Sequence, residues 1–316
     1  MKLPCPAPTA WSFGVSCQNE AMKITANNIQ IEIEDSAPGA SHLPVVLLIM
    51  GLGMQLVAWP QEFVQALLDA GYRVIRPDNR DVGLSQHMHH LGRANLIWAG
   101  LRLRLGLTVR PLYSLSDMAQ DMLGLMDALG VDRAHVLGVS MGGMIGQRMA
   151  LLAPQRVLSL CSVMSSSGAP GLPRARLPVL RALLRRPAGA SSEALVAHYL
   201  SLFRIIGSPD FPMAEDWLRE RIRIAAARGF DPAGTARQML AIIADSARAD
   251  ELPGIVAPTL VFHGEKDVLL PFACGEDTAR RIPGARLVGM PGMGHDLPPL
   301  VIQRLLAVLL PHLGAV

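Results

Sequence analysis

Short apolar runs alternate along this chain with stretches whose apolar residues recur every three or four positions. The runs lie near 45–50, 72–76, 134–139, 157–164, 259–263 and 285–290. Ahead of them, Lys23 to Glu34 alternates apolar and polar residues, with Ile29, Ile31 and Ile33 at every second position. Continuous apolar runs separated by helical patterns predict strands covered on both faces, hence a largely parallel sheet, here opened by an antiparallel pair. Met118, Met122, Leu125, Met126 and Leu129 share one helix face behind an N-cap at Ser116 or Asp117. Met141, Met144, Ile145, Met149 and Leu152 share another, with Arg148 at the stripe's edge. Methionines at this spacing read as core rather than as a metal or redox site.

From about Ala169 to Asp250 the alternation gives way to helical segments broken by prolines and glycines. The expected organisation is therefore an α/β core over 21–168 and 251–316, a helical cap over 169–250 inserted after the sixth strand, and a loosely ordered segment over 1–20. A chain of 316 residues that is 50% apolar can bury a substantial core. Prolines at 4, 6 and 8 interrupt the first 20 residues, which lack the apolar run of a secretory signal, and no stretch approaches the roughly 18 apolar residues of a membrane span. Cys5, Cys17, Cys161 and Cys274 show no metal or dithiol spacing and read as free thiols, so the expected location is the cytoplasm.

The chemistry is concentrated at Gly138-Val139-Ser140-Met141-Gly142, where a strand ends and a helix begins. A serine on so sharp a turn needs flanking glycines, because a side chain two residues either side would collide with backbone. A serine hydroxyl also needs a base and a carboxylate to orient that base. His295, in a glycine-rich loop after the strand 285–290, is the candidate base, while His263, inside a strand, reads as structural. Asp267, just past the strand 259–263, is the candidate acid, with Glu265 as the alternative. The order Ser140, Asp267, His295 is one of several in which serine triads occur, and it differs from the two serine-protease orders. The oxyanion donors are expected to be the backbone amides of Met141 and of Leu52, the latter in the turn Met50-Gly51-Leu52-Gly53-Met54. Gly51, Gly53, Met54, Trp59, Met293 and Trp217 are the candidate pocket residues, with Val57, Tyr199, Phe203 and Phe211 as further ones.

Four segments together carry a family likeness: Leu48 to Gln55, Arg76-Pro77-Asp78-Asn79-Arg80-Asp81-Val82-Gly83-Leu84-Ser85, His135 to Met144, and Pro291-Gly292-Met293-Gly294-His295-Asp296. The chain resembles an α/β-hydrolase of the esterase and aclacinomycin methylesterase-like group. The likeness runs from about Met22 to Leu310 and is least between Ala169 and Asp250. Many relatives carry histidine where Met50 stands. The resemblance implies the α/β-hydrolase fold with a cap that roofs the site, and no cofactor.

Residues and resemblance together point to a serine carboxylic ester hydrolase acting on small to medium, largely apolar esters through an acyl-enzyme. The alternatives are a perhydrolase or haloperoxidase-like enzyme, a carbon–carbon bond hydrolase, and a ligand sensor that keeps the triad without turnover. No metal is expected: His87-Met88-His89-His90 lacks a carboxylate at zinc-like spacing and reads as a solvated loop. A net charge of +3, without basic stretches interleaved with aromatics, argues against nucleic acid. The arginines are nonetheless clustered. Arg93, Arg102, Arg104 and Arg110 lie in one stretch without acids, and Arg174, Arg176, Arg181, Arg185 and Arg186 in another. Solvated arginine faces are the plainer reading of both, and a leucine-rich basic rim that meets a lipid surface or an anionic substrate is the other.

Overall fold

The computed structural model describes residues 20–185, 187–189 and 191–316. Cys5, Cys17, Arg186 and all but the last residue of the segment expected to be loosely ordered lie outside the described residues. Eight strands form one sheet: β1 (Glu20–Ala26), β2 (Ile29–Asp35), β3 (Val45–Ile49), β4 (Arg73–Pro77), β5 (Ala134–Val139), β6 (Val157–Val163), β7 (Thr259–Gly264) and β8 (Arg286–Met290). Their order is β1-β2-β4-β3-β5-β6-β7-β8. β2 pairs antiparallel with both β1 and β4, and every later pairing is parallel. The chain leaves β3 for β4 on one side and returns to place β5 on the other. This is a topological switch point, where the carboxyl ends of strands open a crevice for ligands.

Alternation along the strands divides the core in two. Val45, Leu47 and Ile49 of β3 face the layer of α3 (Leu115–Ala128) and α4 (Met141–Leu152), while Val46 and Leu48 face α1 (Gln61–Asp69) and α11 (Pro299–Leu313). The first layer is filled by Met118, Met122, Met126, Met141, Met144 and Met149, as the periodicity predicts. Leu152 departs from its stripe and is exposed at the helix end. The N-cap of α3 is Ser114, upstream of the expected Ser116 or Asp117. Its hydroxyl accepts the Asp117 N–H, and the Asp117 carboxylate accepts the Ser114 N–H at 2.7 Å, closing a capping box.

Between β4 and α3 lies α2 (Leu96–Arg104). After β6 come α5 (Leu177–Leu184), α6 (Ser192–Ile206), α7 (Glu215–Arg228), α8 (Pro232–Ala244) and the short α9 (Arg248–Glu251), and α10 (Ala273–Arg281) follows β7. The helices after β6 have small cores of their own, Val196 and Leu200 against Leu218 and Ile222, and Val179 against Leu202 and Ile206.

Candidate active site

Ser140 sits between β5 and α4 at φ 54° and ψ −117°, a left-handed conformation that a non-glycine residue holds only when its surroundings over-determine it. Its N–H donates to the Val163 carbonyl at 2.9 Å, and its carbonyl accepts from the Ser165 hydroxyl at 2.7 Å. Both flanking glycines are sterically required. A Cβ on Gly138 would overlap the Gly142 carbonyl, and one on Gly142 would overlap the Ile49 carbonyl.

The loops after β7 and β8 bring two side chains to this turn. His295 Nε2 lies 3.1 Å from Ser140 Oγ, and His295 Nδ1 lies 2.6 Å from Asp267 Oδ2. Asp267 and His295 are both buried. The other carboxylate oxygen of Asp267 accepts the N–H groups of Leu269 and Leu270 at 2.8 and 2.9 Å, which fixes its orientation. Glu265, the alternative acid, is exposed, with a carboxylate oxygen beside Gly289. His263 is fully buried, and its Nε2 donates to the Leu270 carbonyl at 2.7 Å. Burial holds its pKa below the usual histidine value, partly offset by that bond and by Asp267. It therefore braces the turn that carries Asp267, the structural part expected of it.

The third loop, after β3, presses on the serine. A Cβ on Gly51 would lie 3.2 Å from the Ser140 Cβ and 3.3 Å from the Val139 carbonyl, so any side chain here would crowd the serine turn by a few tenths of an ångström. Met141 is the first residue of α4, where backbone N–H groups lack helical partners. Two side chains that sequence reasoning did not single out clamp the β3 turn. Asn79 donates to the Met50 carbonyl at 2.9 Å. Gln238, fully buried on α8, accepts the Gly53 N–H at 2.9 Å and donates to the Arg80 carbonyl at 2.8 Å. Asn79 stands in a quoted motif, whereas no local signal marks Gln238.

The helices after β6 are tied to the core at the same edge. The His295 N–H donates to the Ile206 carbonyl at the end of α6 at 2.7 Å, and Ser208 bonds both Gly294 and Asp296. Burial pushes the Asp296 carboxyl up to about 6, partly offset by these Ser208 bonds. Arg228 of α7 pairs with Asp78 at 2.6 Å, and Arg237 of α8 with Asp81 at 2.7 Å. The Arg76-to-Ser85 motif is thus the seat on which the inserted helices rest.

The candidate pocket residues separate. Gly51 is buried against the serine, and Leu52, Gly53 and Met54 beside it are partly accessible. Trp59 and Met293 are both fully enclosed, Trp59 stacked on Phe63 at 5.5 Å. Trp217 is 38% exposed on α7, under the Arg221 guanidinium, which bonds the Val57 and Trp59 carbonyls. Tyr199 and Phe203 pack within the helical cores, and Phe211 packs against the core on the α1 and α11 side. The carboxylate missing from the histidine-rich loop is supplied from far along the chain. Asp231, the N-cap of α8, lies 3.3 Å from His87 and 3.8 Å from His89, and it also pairs with Arg237 at 3.2 Å. Arg93, Arg104 and Arg110, and likewise Arg174, Arg176, Arg181 and Arg185, are exposed.

The chain matches the family model described as alpha/beta hydrolase fold over residues 44–299. It is 32% identical to a rhodomycin D methylesterase from Streptomyces sp. (strain C5) over 85% of this chain and 91% of that protein. Among solved structures, the enol-lactonase from Burkholderia xenovorans LB400 superposes with a TM-score of 0.71 at 24% identity, covering 93% of this chain and 100% of that one. A meta-cleavage product hydrolase from Pseudomonas fluorescens IP01 superposes with a TM-score of 0.70 at 21% identity, covering 93% and 97%. By the extent of the family match and by this relative, the chain belongs to the alpha/beta hydrolase fold family.

Proposed function

We propose that the protein is a serine carboxylic ester hydrolase that works through an acyl-enzyme on small to medium, largely apolar esters. The observation that carries this reading is the continuous hydrogen-bonded series from Ser140 Oγ through His295 to Asp267, starting from a serine held in a strained turn. His295 Nε2 takes the Ser140 proton as Oγ attacks the ester carbonyl, and the amides of Leu52 and Met141 stabilise the tetrahedral oxyanion. As the tetrahedral species collapses, His295 protonates the leaving alcohol. Water then repeats the sequence on the acyl-enzyme, releasing the acid and restoring the serine. Asp267 keeps the imidazole in the required tautomer and stabilises its cationic form. The helices over 169–250 act as a cap whose contacts with the β3 and His295 loops shape the pocket. Val57 and Met54 near the β3 turn favour an apolar ester.

A methyl ester of a larger acid is a second substrate reading, favoured by the similarity to the rhodomycin D methylesterase. Carbon–carbon hydrolysis has support only at the level of fold, which does not carry a substrate. The test is intact-mass and peptide mass spectrometry after rapid quenching with p-nitrophenyl butyrate. A butyryl group on the peptide bearing Ser140, absent in Ser140→Ala, is the expected result. Turnover with no acyl adduct, or an adduct elsewhere that is needed for turnover, contradicts it.

A further inference from the structure

Helix α2 exposes the face that a surface helix ordinarily hides. Its inward side, Leu96, Ala99 and Leu103, packs on Val109 and on Leu240, Ile243 and Ala244 of α8. Its outward side is also apolar: Ile97 is 89% exposed, Trp98 54%, Leu101 46% and Leu105, just past the helix, 62%. Positions 97, 101 and 105 follow one another at four-residue spacing, with Trp98 beside them, so they form one ridge. Exposed leucines are ordinary when scattered, but a contiguous ridge of large apolar side chains marks an interaction surface.

The surroundings identify what it meets. Between Asp81 and Asp117 the sequence has four arginines and no acidic residue. Three of these, Arg93, Arg102 and Arg110, line a groove of about 560 Å³ with Asn95, Trp98 and Thr108, and none of the lining residues is acidic. Arg102 is pre-oriented by donating to the Thr108 carbonyl at 2.8 Å. The Asn95 side-chain oxygen caps the helix by accepting the Trp98 N–H at 2.8 Å. A second copy of this chain in a two-fold contact would set these arginines against themselves. A nucleic acid would match the arginines and leave the aliphatic ridge uncovered.

We infer that the α2 ridge and its arginine groove dock on the surface of an anionic phospholipid bilayer. Ile97, Leu101 and Leu105 enter the boundary of the acyl region, Trp98 lies at headgroup level, and the groove takes lipid phosphates. This surface is separate from Ser140 and does not rest on the ester reading.

The experiment is sedimentation of the full chain with phosphatidylcholine vesicles, with and without about one-third phosphatidylglycerol, at low and at physiological salt. Binding only to the anionic vesicles, weakened by salt and accompanied by a blue shift in emission that Trp98→Phe abolishes, is expected. Ile97→Ser combined with Leu101→Ser and Leu105→Ser lowers partitioning at least about tenfold. Arg93→Gln and Arg110→Gln lower it about fivefold each. Because these side chains are exposed, thermal stability of the variants stays at the parent value. No binding to the anionic vesicles, equal binding to uncharged ones, or unchanged binding by either variant set overturns the inference. So does a dimer, seen by sedimentation velocity without lipid, that the serine variants dissociate.

Discussion

The left-handed backbone at Ser140 is a cost, of order 1–3 kcal/mol, that the two glycines, Val163 and Ser165 hold in place. Removing the hydroxyl does not disturb that frame. Ser140→Ala is therefore expected to fold normally and to lose ester turnover by a factor on the order of 10⁶. Asp267→Asn keeps the shape of the site but lets the His295 imidazole adopt the wrong tautomer. A fall of roughly 10⁴ in kcat with little change in KM is expected from steady-state kinetics. At this scale Ser140, Asp267 and His295 were legible because each stands at the end of a recognisable strand, in a turn whose glycines are local. Asn79 and Gln238 were not legible, since the bond from Gly53 to Gln238 joins residues 185 positions apart. The enclosure of Trp59 was hidden for a related reason. Closeness in sequence to the β3 turn does not say which side of the sheet a side chain enters, and Trp59 enters the α1 layer.

The inserted helices act on the site through their ends and through single buried side chains. Gln238 on α8 fixes the turn that carries Leu52, so Gln238→Leu is expected to lower kcat roughly tenfold, less than the 10² to 10³ for losing an oxyanion donor outright. A drop in thermal stability without any kcat change would show that the residue only packs. The end of α6 meets Asp296 through Ser208, where burial lifts the carboxyl from 3.8 to about 6. The unfolded chain releases this proton near pH 4, and the folded chain keeps it to about pH 6. The stability linked to Asp296 is thus full below pH 4, declines as pH rises through 6, and is then level, a loss of roughly 3 kcal/mol. Asp296→Asn still accepts the Ser208 bonds and has no such proton. Urea unfolding at pH 4 and pH 7 should show the variant gaining about that amount on the parent, and parallel pH profiles would refute the assignment. The strands were legible to within a residue or two, because continuous apolar runs leave little latitude. The start of α3 was not, since Leu115 hides the first turn and the cap is read from the reciprocal Ser114 and Asp117 bonds. Nor does periodicity say which apolar face of α2 is inward.

Across the whole molecule, the parallel strands bring four separate loops to one edge, beside the switch point between β3 and β5. Ser140, Asp267, His295 and the turn holding Leu52 come from loops spread over more than half of the chain, and only the sheet makes them neighbours. The architecture was legible as alternating elements, and the helical insertion as their interruption. The salt-bridged seat between the Arg76-to-Ser85 motif and α7 and α8 was not, because its pairs of charges are scattered in sequence and joined only by folding. The Asp231 carboxylate beside the histidine-rich loop was hidden in the same way. The central claim is that this edge is an esterase site with Ser140 as nucleophile. It is tested most directly by steady-state hydrolysis of p-nitrophenyl acetate and butyrate by the parent protein and Ser140→Ala, side by side. Sustained turnover that vanishes in the folded variant is the predicted result. Equal turnover by both proteins, or none by the parent on these esters and on methyl esters of larger acids, would contradict it.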